Sequence, residues 1–135
     1  MKFFDRQSDN PRTYVIAEIG NNHNGSMETA KKLVLGAKRA GADCVKFQMR
    51  DVETLYRSAS LENGAEDLGS EYVFSLLRRF DFSFEQHEEI KDFCHTQQID
   101  YLCTPWDEVS VDRLLGLDVC AFKVASADLT NLPLC

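Results

Sequence analysis

Short apolar runs alternate with longer amphipathic segments along this chain. The runs are rich in β-branched, aromatic and cysteine residues, and they cover residues 14–18, 44–48, 99–103 and 119–123. Between them, apolar residues recur at spacings of three and four, which is the period of a helix that buries one face. Strands that alternate with helices pair in parallel through right-handed crossovers. The pattern therefore predicts an α/β fold built on a parallel sheet.

Residues that cap helix ends mark the predicted helices. Ser26 and Ser83 are predicted N-caps for helices over residues 27–40 and 84–96, and Gly41 ends the first of these. Ser83 is followed three residues later by a glutamine, which is a capping box. Two further helices are predicted over residues 71–79 and 107–115.

Four strand–helix units fit two architectures. A (β/α)8 barrel of the TIM type takes about 250 residues, so the 135 residues here would supply its first four units, a half barrel. A small doubly wound sheet is the alternative. No linker rich in Pro, Gly or Ser interrupts the chain, so residues 1–135 are predicted to form one domain. The sequence ends where the helix after the fourth strand should begin, and we expect the domain to belong to a longer one.

Composition limits the partners and the compartment. The net charge is −7 at pH 7, with 44% hydrophobic and 27% charged residues. Because a nucleic-acid-binding face needs clustered positive charge, no nucleic-acid partner is expected. The apolar runs are too short to span a membrane, and the charged N-terminus lacks the apolar core of a signal peptide. We therefore expect a cytoplasmic protein with no membrane partner.

The five cysteines predict neither a disulfide framework nor a zinc site. Their number is odd, and none has CxxC spacing. Cys44, Cys103 and Cys120 fall within predicted strands, where a free cysteine packs as a small hydrophobic residue.

Polar residues follow the predicted strands at their carboxyl ends, where parallel α/β proteins bind ligands. Lysines, hydroxyls, an amide and carboxylates would converge there: Glu18, Lys46, Gln48, Thr104, Lys123, Ser126 and Asp128. Lys46 and Gln48 lie two apart on one strand, so their side chains point to the same side. Lysine is a compact cation for phosphate or carboxylate, and hydroxyls add neutral hydrogen bonds. The cluster therefore favours a phosphorylated acid, although each lysine alone is also compatible with a solvated charge.

The histidines and the tryptophan have plainer interpretations. His23 lies in an Asn- and Gly-rich loop and fits a site residue or an ordinary turn residue equally. His87 and His95 lie on one predicted helix and are expected at the surface. Trp106 follows the third strand, close to the polar cluster, and is predicted mainly to pack.

Four segments at the predicted strand ends form a recognisable set. They are Ala17-Glu-Ile-Gly-Asn-Asn-His-Asn-Gly25, Ala40-Gly-Ala-Asp-Cys-Val-Lys-Phe-Gln48, Thr104-Pro-Trp106 and Phe122-Lys-Val-Ala-Ser-Ala-Asp-Leu-Thr-Asn-Leu-Pro133. In this order and spacing they resemble the N-acetylneuraminate (sialic acid) synthase family, which includes legionaminate and pseudaminate synthases and the animal enzyme that forms the 9-phosphate. The resemblance implies the N-terminal half of a TIM-type catalytic barrel.

The same resemblance implies a reaction. The family condenses phosphoenolpyruvate with N-acetylmannosamine or a related amino sugar, releasing phosphate, in nonulosonic acid biosynthesis. A divalent metal, manganese or magnesium, polarises the sugar aldehyde as a Lewis acid. The enol carbon attacks that aldehyde, water adds, and phosphate leaves by C–O cleavage. The family resemblance also implies a homodimer.

Carried onto this sequence, the resemblance divides the polar cluster between the two substrates. It assigns phosphoenolpyruvate to a cationic and hydroxyl group of Lys46, Thr104, Lys123 and Ser126. It makes Glu18 and Asp128 the catalytic acidic residues beside the aldehyde and the sugar. Gln48 borders the same pocket, and Asn63, in the loop after the second strand, is the nearest match to a family asparagine.

The resemblance also implies what lies elsewhere. Two metal-binding histidines and an antifreeze-like domain would follow Cys135, so no metal ligand is expected in this chain. We expect the 135 residues alone to be catalytically inactive, with open sheet edges that favour association. Two alternatives stay open: another phosphoenolpyruvate-dependent deoxy sugar acid synthase, and an inactive phosphate-binding remnant. The loop after Glu18 and the segment 126–131 favour the sialic acid synthase interpretation over another deoxy sugar acid synthase.

Overall fold

A parallel sheet with helices packed on one face forms the centre of the computed structural model, which describes residues 13–53, 55, 75–119 and 121–135. The strands are β1 (Ile16–Glu18), β2 (Cys44–Met49) and β3 (Asp100–Pro105). The helices are α1 (Met27–Arg39), α2 (Phe84–Thr96) and α3 (Glu108–Gly116), and Ser126–Asp128 forms a 3₁₀ turn. Residues 75–80 are also helical. The predicted α/β class with a parallel sheet is confirmed.

The sheet has the order β1-β2-β3, with β2 in the centre. Its register pairs Glu18 with Lys46 and Gln48 with Thr104. Residues that are distant in the sequence therefore lie level with one another at the carboxyl ends of the strands.

Alternate residues of the strands face opposite sides of the sheet. One side is apolar and faces the helices, with buried strand residues Val45, Phe47, Met49, Tyr101 and Cys103. The helices and their flanks contribute Ala30, Val34, Ile90, Cys94 and Leu114 to the same core. The other side carries the predicted polar residues. The hydrophobic core thus fixes the strands from one side and leaves the opposite side for chemistry.

The predicted helix caps are confirmed. Ser26 accepts a hydrogen bond from the Thr29 backbone N–H at 3.2 Å. Ser83 has the full capping box, in which its backbone N–H donates to Gln86 Oε1 at 2.9 Å. These side chains satisfy N–H groups that the first helical turn leaves without a partner.

The segment predicted as a fourth strand is not a strand in the described part of the chain. It joins the sheet through one parallel bridge between Cys103 and Phe122, with the Lys123 N–H donating to the Cys103 carbonyl at 3.2 Å. Phe122 and Val124 remain 39% and 46% exposed, so little apolar burial holds this segment extended. Cys120 lies outside the described residues. The described residues therefore form three strands and a bridged segment, not four complete units.

His87 was predicted at the surface, and that prediction is wrong. Its side chain is fully buried on α2, and its Nδ1 lies 2.8 Å from the Tyr101 hydroxyl. The ring packs edge-on against Phe82, with centroids 5.8 Å apart. The hydrogen bond from β3 satisfies Nδ1 of this ring, whereas Nε2 is buried without a hydrogen-bond partner among the described residues. His95 is exposed, as predicted.

The cysteines behave as the sequence indicates where they are described. Cys44, Cys94 and Cys103 are buried and free, and Cys135 is exposed and free. In the described ranges, no helix combines the length and apolar character needed to cross a membrane.

Candidate functional site

The Lys46 ammonium group is the centre of the polar face. Its Nζ lies 2.5 Å from Glu18 Oε2 and donates to Thr104 Oγ1 at 3.3 Å. Lys46 is 9% exposed, whereas the Glu18 side chain is 53% exposed. One residue from each strand therefore meets at a buried cation, as the strand-end prediction requires. The cation is held by one carboxylate and one hydroxyl.

Gly20 brings the loop after β1 close to this group. The N–H groups of Ile19 and Gly20 both donate to the Lys46 carbonyl, at 2.9 and 3.0 Å. Gly20 has φ +50°, and a Cβ on it would lie 3.2 Å from both Glu18 Oε1 and Gln48 Nε2. A side chain at this position would be strained and would crowd the carboxylate and the amide. Glycine thus keeps these two polar groups open on the same side of the loop.

The sequence interpretation missed Arg50. Its Nη2 donates to Gln48 Oε1 at 2.5 Å, and its guanidinium carbon lies 4.5 Å from the centre of the Trp106 ring. The signal was present in the sequence, because residues 46, 48 and 50 share one side of an extended chain. Trp106, predicted mainly to pack, also carries this cation on its face.

An acidic network lies beneath Arg50. Asp107, the N-cap of α3, accepts hydrogen bonds from the Ser110 N–H at 2.7 Å and the Ser110 hydroxyl at 2.8 Å. Burial raises the pKa of the Asp81 carboxyl to about 6, although the Arg50 charge opposes that shift. Asp51 forms an ion pair with Arg113 at 3.1 Å. The loops after β2 and β3 are therefore joined through charged groups.

The remaining predicted site residues lie apart from the Lys46 group. Lys123 follows the bridge to β3, Ser126 is exposed in the 3₁₀ turn, and Asp128 accepts from Asn131 Nδ2 at 3.3 Å. Within the described ranges, none of the three bonds to Glu18, Lys46 or Thr104. One carboxylate oxygen of Asp128 is buried without a hydrogen-bond partner in that part of the structure. Asn63 lies outside the described residues.

His23 is part of the core rather than of the open polar face. It is 1% exposed, and its ring stacks on Phe82 with centroids 3.8 Å apart. Its Nδ1 accepts from the Gly25 N–H at 3.1 Å, and burial lowers its pKa. His23 therefore acts as a neutral packing residue that shapes the loop after β1.

The described residues do not fit a resident metal ion. Three or more histidine, cysteine or carboxylate side chains do not come together as ligands anywhere in those ranges. The two buried histidines each use Nδ1 in a local hydrogen bond and pack against Phe82. No step of the chemistry below is therefore assigned to a metal held by these residues.

Comparison with known proteins identifies the family of the chain. Residues 33–135 match the sequence profile of the NeuB family. The chain belongs to the NeuB family. Two curated relatives are the N,N'-diacetyllegionaminic acid synthase of Legionella pneumophila, 35% identical over 125 residues, and the human N-acetylneuraminate-9-phosphate synthase, 35% identical over 123 residues. Each alignment covers 89% of this chain, but only 35% and 34% of those proteins.

Solved structures agree on the fold. The N-acetylneuraminic acid synthetase of Leptospira borgpetersenii superposes with a TM-score of 0.78 at 26% identity, over 92% of this chain and 40% of that one. The Bacillus subtilis spore coat polysaccharide biosynthesis protein SpsE gives 0.69 at 35% identity, over 93% and 32%. This NeuB-family chain thus spans about a third of the length of the curated relatives that it matches.

Proposed function

We propose that this chain provides the phosphoenolpyruvate-binding part of a sialic-acid-synthase-type active site. The observation that carries the proposal is the buried Lys46 ammonium, held between Glu18 and Thr104 at the carboxyl ends of three parallel strands. The reaction is the condensation of phosphoenolpyruvate with N-acetylmannosamine or a related amino sugar. Named relatives in the NeuB family, which are synthases of such sugar acids, support it.

Lys46 has a donor available for an anion. An ammonium group has three N–H donors, and the described residues engage two of them, through Glu18 and Thr104. Little water reaches this side chain, because Lys46 is 9% exposed. A charge-assisted hydrogen bond to a phosphate or carboxylate oxygen is stronger in such a place than at the surface. The third donor therefore suits one anionic group of phosphoenolpyruvate.

Glu18 and Gln48 suit the second substrate. The Glu18 carboxylate is more exposed than its lysine partner, and the Gln48 amide nitrogen lies on the same side of Gly20. A carboxylate accepts hydrogen bonds from sugar hydroxyls, and an amide N–H donates to a sugar oxygen. Pairing with Lys46 keeps the carboxylate oriented next to the site where the anion binds.

Other predicted residues complete the site as part of the same proposal. Lys123 and Ser126 extend the anion-binding group, Asp128 faces the sugar with Glu18, and Asn63 contributes from the loop after β2. A divalent metal such as manganese or magnesium, if the reaction uses one, is bound by residues other than those described.

The reaction balances with the two substrates and one water. The methylene carbon of phosphoenolpyruvate forms a bond to the aldehyde carbon of the sugar, and the aldehyde oxygen takes a proton. Water adds to the carbon that carries the phosphate, and the bond between that carbon and the phosphate oxygen breaks to leave a keto acid and inorganic phosphate. Lys46 stabilises the negative charge of phosphoenolpyruvate throughout, and Glu18 accepts a hydrogen bond from a sugar hydroxyl beside the aldehyde carbon.

The architecture proposed for this activity is a TIM-type barrel of which these residues form the N-terminal half, in a cytoplasmic homodimer. Coverage of about a third of each curated relative supports a division of the site. We propose that the 135-residue chain binds phosphoenolpyruvate but makes no sugar acid by itself. Sugar-acid synthesis by the purified chain would contradict this part of the proposal.

Isothermal titration of phosphoenolpyruvate into the chain tests the anion site. Lys46→Met is expected to weaken binding at least about tenfold, because a hydrogen bond to a charged group is worth about 1.5–3 kcal/mol. The matched control is Lys32→Met, which removes the same charge from an exposed pair with Glu28 on α1 and should bind as wild type. Equal weakening in both variants would show that net charge, and not this site, attracts the ligand.

A further inference from the structure

Gln48 borders the polar face, and the direction in which its amide points decides what it can bind. The carbonyl end accepts hydrogen bonds and the NH₂ end donates two. A 180° flip exchanges the oxygen and the nitrogen of the amide without changing its outline. A neighbouring hydrogen-bonding group must therefore select one of the two orientations. The neighbour that meets Gln48 in this structure is Arg50.

Arg50 selects the orientation because a guanidinium group only donates hydrogen bonds. Its Nη2 donates to Gln48 Oε1 at 2.5 Å, so the NH₂ group is on the opposite side. There, Gln48 Nε2 lies 3.2 Å from the position that a Cβ on Gly20 would occupy, as does Glu18 Oε1. The amide donors therefore lie on the Gly20 side, beside the Glu18 carboxylate.

Two features hold Arg50 where this contact requires it. Its guanidinium carbon lies 4.5 Å from the centre of the Trp106 ring, within the range of a cation–π interaction. The buried Asp81 carboxyl is close enough to feel the Arg50 charge. A planar cation packed on an aromatic ring loses less freedom on forming one more hydrogen bond than a mobile one.

We propose that Arg50 is a positioning residue that fixes the Gln48 amide with its two N–H donors directed beside Glu18, and that Trp106 keeps Arg50 in place. The site then offers a donor pair and an acceptor next to each other, which matches a ligand with neighbouring hydroxyl and carbonyl oxygens. The use of these groups for an amino sugar rests on the proposed function. The orientation of the amide does not, so it can be tested without any ligand.

The test is the side-chain NH₂ signal of Gln48 in ¹⁵N-labelled, ligand-free chain, assigned by its loss in Gln48→Ala. In wild type, the two proton resonances are expected away from the positions of an exposed glutamine, because the amide oxygen accepts from a guanidinium group. Arg50→Met should move both resonances towards those positions, and Arg50→Lys should restore part of the difference because lysine also donates. Arg113→Met is the control, since it removes a nearby guanidinium that pairs with Asp51 and should leave the Gln48 signals in place.

Trp106→Leu provides a second route if Arg50→Met does not fold. It removes the ring that the guanidinium packs on without changing Gln48, and it should also move the two signals towards the positions of an exposed glutamine. Wild-type Gln48 signals in a folded Arg50→Met or Trp106→Leu protein would overturn the proposal. Failure of phosphoenolpyruvate to bind would count against the proposed function and leave this result unchanged.

Discussion

The Asp107 carboxylate accepts a hydrogen bond from the backbone N–H of Asp51 at 2.7 Å, although 56 residues separate the two in the sequence. The same carboxylate caps α3 through Ser110. One buried side chain therefore ties the loop after β2 to the start of the helix after β3. Both loops leave the sheet at the end that carries Lys46 and Gln48. The contact between Asp51 and Asp107 therefore holds together two loops that border the candidate site.

Asp107→Ala is expected to lower the free energy of unfolding by about 2 kcal/mol or more. It removes an N-cap and leaves the buried Ser110 hydroxyl without its partner, and each loss costs about 1 kcal/mol or more. Urea unfolding followed by circular dichroism measures the change. Asp112→Ala, an exposed carboxylate on the same helix, is the control and should stay within about 0.5 kcal/mol of wild type. Equal stability of both variants would contradict the role given to Asp107.

Gly25→Ala is expected to destabilise the protein by more than about 1 kcal/mol. Gly25 has φ +74°, and a Cβ there would lie 2.4 Å from the Arg79 carbonyl oxygen, which belongs to the backbone and cannot simply turn away. Gly36→Ala is the matched control, because its Cβ would meet nothing within 4 Å and it lies inside α1. In that helix alanine should stabilise by about 0.5–1 kcal/mol. Thermal unfolding of the two variants should show a loss of stability for Gly25→Ala and a gain for Gly36→Ala. A stabilising Gly25→Ala would be inconsistent with the close approach to Arg79.

The contribution of His87 to stability should fall in mild acid. Burial, with a smaller contribution from His23, lowers the pKa of His87 to about 3, against an ordinary value of 6.5. The unfolded chain therefore binds a proton below about pH 6.5 that the folded protein does not bind until about pH 3. The stabilising contribution of His87 is fully present above about pH 6.5. It is lost as the pH falls from there towards about 3, by at most about 1.4 kcal/mol per pH unit.

His87→Asn tests this, with unfolding free energies measured from pH 4 to 7. The variant should be less stable overall but should lose this part of the pH slope. His95→Asn, at the exposed end of the same helix, should keep the wild-type slope. A slope that is unchanged in His87→Asn would mean that His87 is already charged in the folded protein.

Asp81 is expected to change the pH dependence of stability in the opposite direction to His87. Its folded pKa is raised to about 6 from 3.8, chiefly by burial, so its contribution is present below about pH 4 and is lost as pH rises through 6. Asp81→Asn should therefore gain stability relative to wild type between pH 4 and 7. Asp92→Asn, an exposed carboxylate on α2, is the control for the loss of one negative charge. Because Asp81 and His87 oppose each other between about pH 4 and 6, the wild-type profile should be flatter than that of either variant.

The local signals in the sequence were sufficient for most of the sheet and its caps. The caps at Ser26 and Ser83 depend on neighbours three residues away, so a short window contains the whole interaction. Lys46 and Thr104 were placed correctly as strand-end residues, because parallel strands bring their carboxyl ends together. The contact of Lys46 with Glu18 follows from the register of β1 and β2.

The errors concern interactions that a short window does not contain. His87 resembles a surface residue on its helix, and its burial depends on the Tyr101 hydroxyl from β3. The segment ending at Lys123 has the composition of a strand, but strand formation requires pairing partners and burial, and the described structure supplies one bridge. Arg50 was overlooked because its importance lies in a contact with Gln48 and Trp106 rather than in a motif.

Polar and apolar side chains alternate along β2, and this alternation makes the candidate site sensitive to insertions and deletions in the strand. Lys46 and Gln48 alternate with Phe47 and Met49, which are both buried against the helices. Loss of a single residue early in β2 would shift every later side chain to the opposite face, placing a lysine in the core and a phenylalanine in the site. Deletion of one residue in β2 is therefore expected to disturb the hydrophobic core and the candidate site together.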